Sequence, residues 1–568
     1  MNRIPKFQYP RSSSQTNFGL FVLFVLLSML TGSAIASIGG TPLDVAGYLD
    51  FSYGSNVKER PTAEKPESKL WWNDGLWWGI LYNHSTGKYH IYYLNWSRQI
   101  WVDTGTAVDD REDSKADALW DEDVKKLYVV SHFRFSNPAH TSNEAEKGRI
   151  YRYSYDLTQQ KYLLDGGFPV NVNADKTETL VVDKDSTGRL WVTYVSKDLL
   201  SSSPIRYAVF LNTSSDGGST WGTPFIIPVT GKFVDLDDIS SVIAFRDNGG
   251  DKIGVMWSNQ ITNRYYFATH DDDQAPEDGW NLEVFDTSPY SLVADDHINL
   301  AKSKNGQVFA AVKSGNTLES EPLIGLMARD VNGNSTFHVF NNVDSKDTRP
   351  IVLVHDDEDE VYVFVSSNPV GGRICYKSAT IPVFLSNLSF PDGNCEDVGS
   401  GGASQFIADS TYINLNDATS TKQNLNNTTG LVVLASDDPN GDVYVHNVKG
   451  DPPPMVTGRY PEPGVVLFPK GAAIVVSFSK QIDPDTLMNG AVAVEDMSGQ
   501  VLGNLTYDSQ SRSAKFMPST PLQVGETFVV TVTTAVKDTS GQALFRTVIW
   551  SFTVAKGGIL YLPVISGN

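Results

Sequence analysis

The chain has 568 residues, too many for one ordinary domain, and its 40% hydrophobic and 20% charged content excludes an intrinsically disordered protein. Its 66 acidic against 45 basic residues give a net charge of −21, which argues against nucleic acid and anionic membrane surfaces as partners, because phosphate contacts need Lys and Arg. Aromatic residues reach 11%, with 46 Gly and 28 Pro, the mixture produced by many short strands joined by turns.

Residues 1–36 read as a secretory signal. Arg3, Lys6 and Arg11 precede an uninterrupted apolar run at 18–30, and Ala34-Ile35-Ala36 is an A-x-A cleavage site. The run is shorter than the ~20 residues that span a bilayer, and no later segment is long and apolar enough to do so. Cleavage removes three positive charges and moves the net charge to −24. The mature protein is expected outside the cell or on its surface.

Residues 44–449 carry a repeat: a short polar segment leads into an apolar strand, followed by aromatic and β-branched strands. Its starts lie at 65–71, 113–120, 176–182, 237–243, 295–300, 347–353 and 421–425. Seven such units predict an all-β propeller of seven blades, with six as the alternative. The seventh unit lacks room for a fourth strand, so the alternating segment 45–53 is expected to supply it and cover the open sheet edge.

The third unit contains Ser214, Asp216, Gly218, Thr220 and Trp221 in the pattern Ser-x-Asp-x-Gly-x-Thr-Trp. Asp216 can accept bonds from backbone N–H groups of its own turn, glycines supply positive φ, and Trp221 is expected to start the next strand. The pattern resembles the Asp-box of the sialidase-superfamily β-propellers and implies a structural turn without chemistry. The aromatic-Arg-Ile-Pro motif of catalytic sialidases is absent. Arg349-Pro350 is the nearest remnant, so the roles of sialidase arginines do not carry over.

Cys375 and Cys395 are the two cysteines, and in an exported chain they are expected to form a disulfide. Asp451, Pro452, Pro453 and Pro454 lie in a stiff linker at 450–454. Beyond it, 455–555 has the size and rhythm of an immunoglobulin-like sandwich, with strands expected at 465–468, 473–478, 491–494, 528–532 and 548–554. The segments 478–487, 521–527 and 536–541 resemble the bacterial Ig-like domain of S-layer proteins, which implies a spacer or surface module in a bacterium. The apolar tail 556–568 reads equally as a last strand or as a sorting signal.

In a propeller the repeat starts converge on the axis. The candidate ligand-binding residues there are Lys69, Arg111, Asp117, Glu178, Asp238, Asp295, Asp296, His297, Asn299, Arg349 and Lys422. Glu67, Asp113, Lys115, Asp237 and Asn424 lie on the same starts. Such a mixed ring offers general acid–base groups and hydroxyl-binding partners. Neighbouring acids could hold Ca²⁺ through oxygen, but no metal-ligand motif is present and no cofactor is expected. Trp71, Trp72, Trp77, Trp78, Trp96 and Trp101 crowd the first unit, where packing between blades competes with sugar stacking. Two functions follow. One is an exported protein, expected to be a monomer, that binds or processes extracellular carbohydrate at the axis. The other is a non-enzymatic surface protein that binds other surface proteins, with the Ig-like domain as its spacer.

Overall fold

The computed structural model describes residues 40–555, apart from short segments at 56, 58–60, 63–64, 112, 134–145, 199–204, 368–371, 383–384, 386–387, 394, 396–402, 438–440, 467 and 489. The signal and the C-terminal tail lie outside the described residues. The described residues contain no α-helix, and no helix among them is long and apolar enough to cross a membrane.

Seven antiparallel sheets follow one another along the chain, each built by consecutive strands hydrogen-bonded to their neighbours. Their first strands are Leu70–Asn73, Ser114–Asp121, Val181–Lys184, Ser240–Asp247, Ala294–Lys302, Thr348–His355 and Leu415–Thr419. The seventh sheet takes its outer strand from the start of the chain: Tyr48–Ser52 pairs antiparallel with Val443–Lys449, Leu49 opposite Val445.

Backbone bonds and short side-chain struts join these first strands to one another. Leu70 N–H donates to Ser420 O at 2.9 Å, tying the first sheet to the seventh, and Ala118 N–H donates to Ser68 O at 2.8 Å. Three short side-chain acceptors repeat the link: Asp117 accepts from Val182 N–H, Asp183 from Ala244 N–H and Asn299 from Val352 N–H, at 2.9, 2.7 and 3.0 Å. Each short acceptor satisfies a backbone donor that the neighbouring sheet leaves unpaired.

The aromatic strands of the first unit are core. Trp71, Trp77 and Trp78 are buried, Trp71 Nε1 donates to Tyr162 OH at 2.8 Å, and Trp78 packs edge-on to the Tyr162 ring. Fully buried rings of this size leave no face for a sugar.

The turn at 214–221 is closed by its own side chains. Thr220 N–H and Oγ1 donate to Asp216 at 2.9 and 2.7 Å, Ser214 Oγ donates to Asp216 at 2.8 Å, and Gly217 and Gly218 take φ of 67° and 84°. These donors, led by the Thr220 N–H, hold the Asp216 carboxyl below its usual range. Trp221 does not start a strand. The next one is Phe225–Ile226, because the indole folds back to donate to Gly218 O at 3.1 Å.

Cys375 and Cys395 form a disulfide, with Cα atoms 5.8 Å apart. It ties the third strand of the sixth sheet, Arg373–Thr380, to the segment that follows it.

Residues 456–553 form two packed four-stranded sheets around Phe478, Val494, Phe528, Trp550 and Phe552. Val456–Tyr460, Gly503–Asp508 and Ser513–Pro518 are further strands, in which only Val456, Ala514 and Phe516 are buried apolar residues. Where a strand was expected at 465–468, Val465 and Val466 are not in a strand, and Phe468 forms a bridge to Val554. Pro452 and Pro454 are buried, and Pro454 O accepts from Phe545 N–H at 2.9 Å. The proline segment is therefore packed onto the sandwich rather than held away from it.

Candidate functional site

The lead-ins of four sheets bring a cluster of charged side chains together. Lys65, ahead of the first sheet, reaches Glu178 Oε1 of the third at 2.8 Å and also contacts Asp296 Oδ2 of the fifth. Carboxylate oxygens of Glu178, Asp237 and Asp296 all lie within 4.8 Å of one another. His297 Nδ1 lies 2.5 Å from Asp295 Oδ1 and 2.8 Å from Asp296 Oδ1, and Lys313 Nζ holds Asp295 Oδ2 at 2.8 Å. The ring of His297 is thereby oriented with Nδ1–H toward two carboxylates, while its buried Nε2 has no hydrogen-bond partner.

The carboxyls of this cluster are driven apart. Burial disfavours ionisation of Asp296, but the His297 hydrogen bond and the charges of His297 and Lys65 outweigh it and hold the group well below the usual range. Asp237 is raised, first by burial and then by the charge of Asp296. One carboxylate that stays ionised beside one inclined to keep its proton is the arrangement that acid–base chemistry uses.

A second pair contacts the segment that carries Glu178. His132 Nε2 meets Glu67 Oε1 at 2.5 Å, both side chains fully buried, while His132 Nδ1 faces Thr177 O at 3.0 Å. A ring with acceptors at both nitrogens fixes the backbone next to Glu178. Neither His132 nor Lys65 carried a sequence signal, because their partners lie 45 to 231 residues away.

Other candidates from the sequence are held elsewhere. Lys69 is buried, donating to Pro61 O at 2.5 Å with its ammonium 4.8 Å from the Tyr89 ring. Arg111 grips Asp109 through Nε and Nη2 and donates to Lys147 O at 3.0 Å. Asp238 accepts from Ser258 Oγ at 2.7 Å and from the backbone of Gln260 and Asp235. Asp117 spans three sheets, accepting from Ser68 and Val182 N–H groups and pairing with Lys422, whose ammonium also donates to Val182 O at 2.6 Å. Asn299 is a strut as well, donating to Lys65 O at 3.3 Å. Arg349 Nε faces Asp417 Oδ1 of the seventh sheet at 2.5 Å.

The seventh start is displaced from its expected place. The first strand there is Leu415–Thr419, and 421–425 continues past it, Leu425 bridging in parallel to His355 at the far end of the sixth sheet's first strand. Lys422 thus follows the first strand of the seventh sheet rather than preceding it, and Asp417 lies within that strand.

Residues 450–554 match the family model described as a bacterial Ig-like domain, which takes in the proline segment. A search among curated proteins found no match. Among solved structures the chain is similar to an ulvan lyase, a polysaccharide lyase, at 11% identity and a TM-score of 0.43, over 72% of this chain and 96% of that one. It is similar also to an α-L-arabinanase of Penicillium chrysogenum, at 11% identity and a TM-score of 0.37, over 61% and 100%. A third is a protein of unknown function from Dyadobacter fermentans, at 11% identity and a TM-score of 0.37, over 59% and 94%.

Proposed function

We propose that this is an exported bacterial protein whose seven sheets close into a propeller, and that it processes extracellular carbohydrate by acid–base chemistry at the axis. The observation that carries the reading is the convergence of Glu178, Asp237 and Asp296 from the starts of three sheets, with Lys65 on Glu178 and Asp296 and His297 on Asp296. Asp296, with its carboxyl lowered, and Asp237, with its carboxyl raised, differ in the direction that a proton acceptor and a proton donor need, and the exposed Asp237 is open to a hydroxyl. Asp295 and Asp296 orient His297, and Lys65 keeps the carboxylates close. The acidic surface, the disulfide and the Ig-like domain suit life outside the cell.

The test is a panel of soluble extracellular polysaccharides, assayed for binding and for new chain ends. Loss of both on His297→Ala, with the melting temperature kept, supports the reading. Binding that survives His297→Ala and Asp237→Asn unchanged points instead to a surface interaction protein.

A further inference from the structure

We propose that one proton shared between Asp50 and His446 latches the seventh sheet to the first, so that the joint is firm at neutral pH and loosens as the medium turns alkaline. The latch stands whether or not the axis takes sugar.

Three segments meet at this joint. Asp50 lies on the strand Tyr48–Ser52, His446 on Val443–Lys449, and Gln99 in the turn between Lys88–Asn95 and Ile100–Ala107 of the first sheet. His446 Nδ1 is 2.7 Å from Asp50 Oδ2, and its Nε2 is 3.0 Å from Gln99 Oε1. The Asp50 and His446 side chains are 1% and 0% exposed, so solvent does not replace a missing bond.

The chain of hydrogen bonds has a fixed direction. Gln99 Nε2 donates to Trp96 O, a backbone carbonyl that can only accept. That turns Oε1, an acceptor, toward the imidazole, and His446 Nε2 must carry the hydrogen between them. A neutral imidazole has one N–H, which leaves Nδ1 a bare lone pair facing Asp50. A bare lone pair and a carboxylate 2.7 Å apart repel, so a further proton lies between them, on Asp50 as an acid or on Nδ1 as an imidazolium. Asp50 Oδ1 is buried without a hydrogen-bond partner, a setting hostile to a bare carboxylate. Burial raises the Asp50 carboxyl against the pull of His446, the direction that keeps this proton on the pair. The Tyr48 ring stacks on the imidazole at 5.4 Å, and the Trp101 ring meets it edge-on at 6.1 Å. Arg98, beside Gln99, is the cation of that turn, and among the described residues His446 is the charge that acts on Asp50.

Once the joint opens, the two groups take their ordinary values of about 3.9 and 6.5. Between those values the open form also holds one proton, on the histidine, and pH has no effect. Above about pH 6.5 the open form holds none and the closed form one, so the opening constant rises about tenfold per pH unit until the joint itself gives up the proton.

The experiment is hydrogen–deuterium exchange of the full-length protein between about pH 6.5 and 9, each rate divided by that of a free amide at the same pH. In the unaltered protein the opening constant of 48–52 should rise about tenfold per pH unit over at least part of this range, while that of Thr527–Val532 in the Ig-like domain stays level. Asp50→Asn offers Nδ1 an N–H with no proton to lose, and its opening constant for 48–52 should not change with pH. A flat profile in the unaltered protein, a rise shared equally by 527–532, or an Asp50→Asn protein that keeps the slope or fails to fold overturns the proposal.

Discussion

Asp74, in the first turn of the first sheet, is ion-paired with Arg546 of the Ig-like domain, 472 residues further along the chain. The Asp74 side chain is 3% exposed and also accepts from Tyr155 OH at 2.7 Å, while Trp72 packs edge-on to Phe545 beside it. Met455 is buried in the core of the first sheet. The Ig-like domain is thus docked on the sheets through a desolvated charge pair set in an apolar contact.

Breaking one partner of a buried pair leaves the other charge unpaired, which costs about 3 kcal/mol. Arg546→Ala should therefore lower stability by about that amount in urea denaturation and separate the unfolding of the two bodies. A change below about 0.5 kcal/mol would show the pair to be incidental.

The Cys375–Cys395 bridge closes a loop of 20 residues. In the chain-entropy model such a loop contributes about 3 kcal/mol. Thiol titration of the unfolded, non-reduced protein should find no free thiol. Cys375→Ser/Cys395→Ser should lower stability by about 3 kcal/mol, with much of the loss in the sixth sheet.

Burial of Asp117 pushes its carboxyl up from 3.8 to about 6, against the pull of Lys422 and two backbone donors. The folded form then binds this proton more tightly than the unfolded chain does. The contribution is fully present below about pH 4 and is lost as pH rises through 6, a swing of about 3 kcal/mol. Asp117→Asn should remove that fall from a plot of stability against pH between about 4 and 6. A variant with the same slope as the parent would place the titration elsewhere.

His297 and Arg349 share a sequence context and should behave oppositely. His297 bonds to carboxylates of its own strand, so His297→Ala should cost about 1.5–2 kcal/mol, the loss of a charge-assisted hydrogen bond, and reduce carbohydrate binding. Arg349 meets the buried Asp417 of the neighbouring sheet, and Arg349→Ala should cost about 3 kcal/mol. Paired melts and binding curves decide: equal losses of stability would mean that His297 is also an inter-sheet strut.

The sheets were legible because their strands are aromatic and β-branched in alternation, so each unit announces itself. The seventh start failed because Leu415–Thr419 carries Asn416, Asp417 and Thr419 and has almost no apolar pattern. Within the site, Asp295, Asp296 and His297 were readable as adjacent residues of one lead-in. Glu178 and Asp238 look alike in sequence, and only the fold separates them: one meets a lysine from another sheet, the other caps its own turn. Lys65 and His132 were illegible, since what gives them a role is a partner far along the chain.

The most direct test of the axial reading is a structure of the protein with an oligosaccharide drawn from whichever polysaccharide it binds. A sugar ring seated over the sheet starts, with a hydroxyl or glycosidic oxygen within hydrogen-bond distance of Asp237, is the predicted result. The oligosaccharide bound elsewhere, for instance in the cleft of about 1170 Å³ between Gln159 and Ile549, with the axial cluster unchanged, would contradict it.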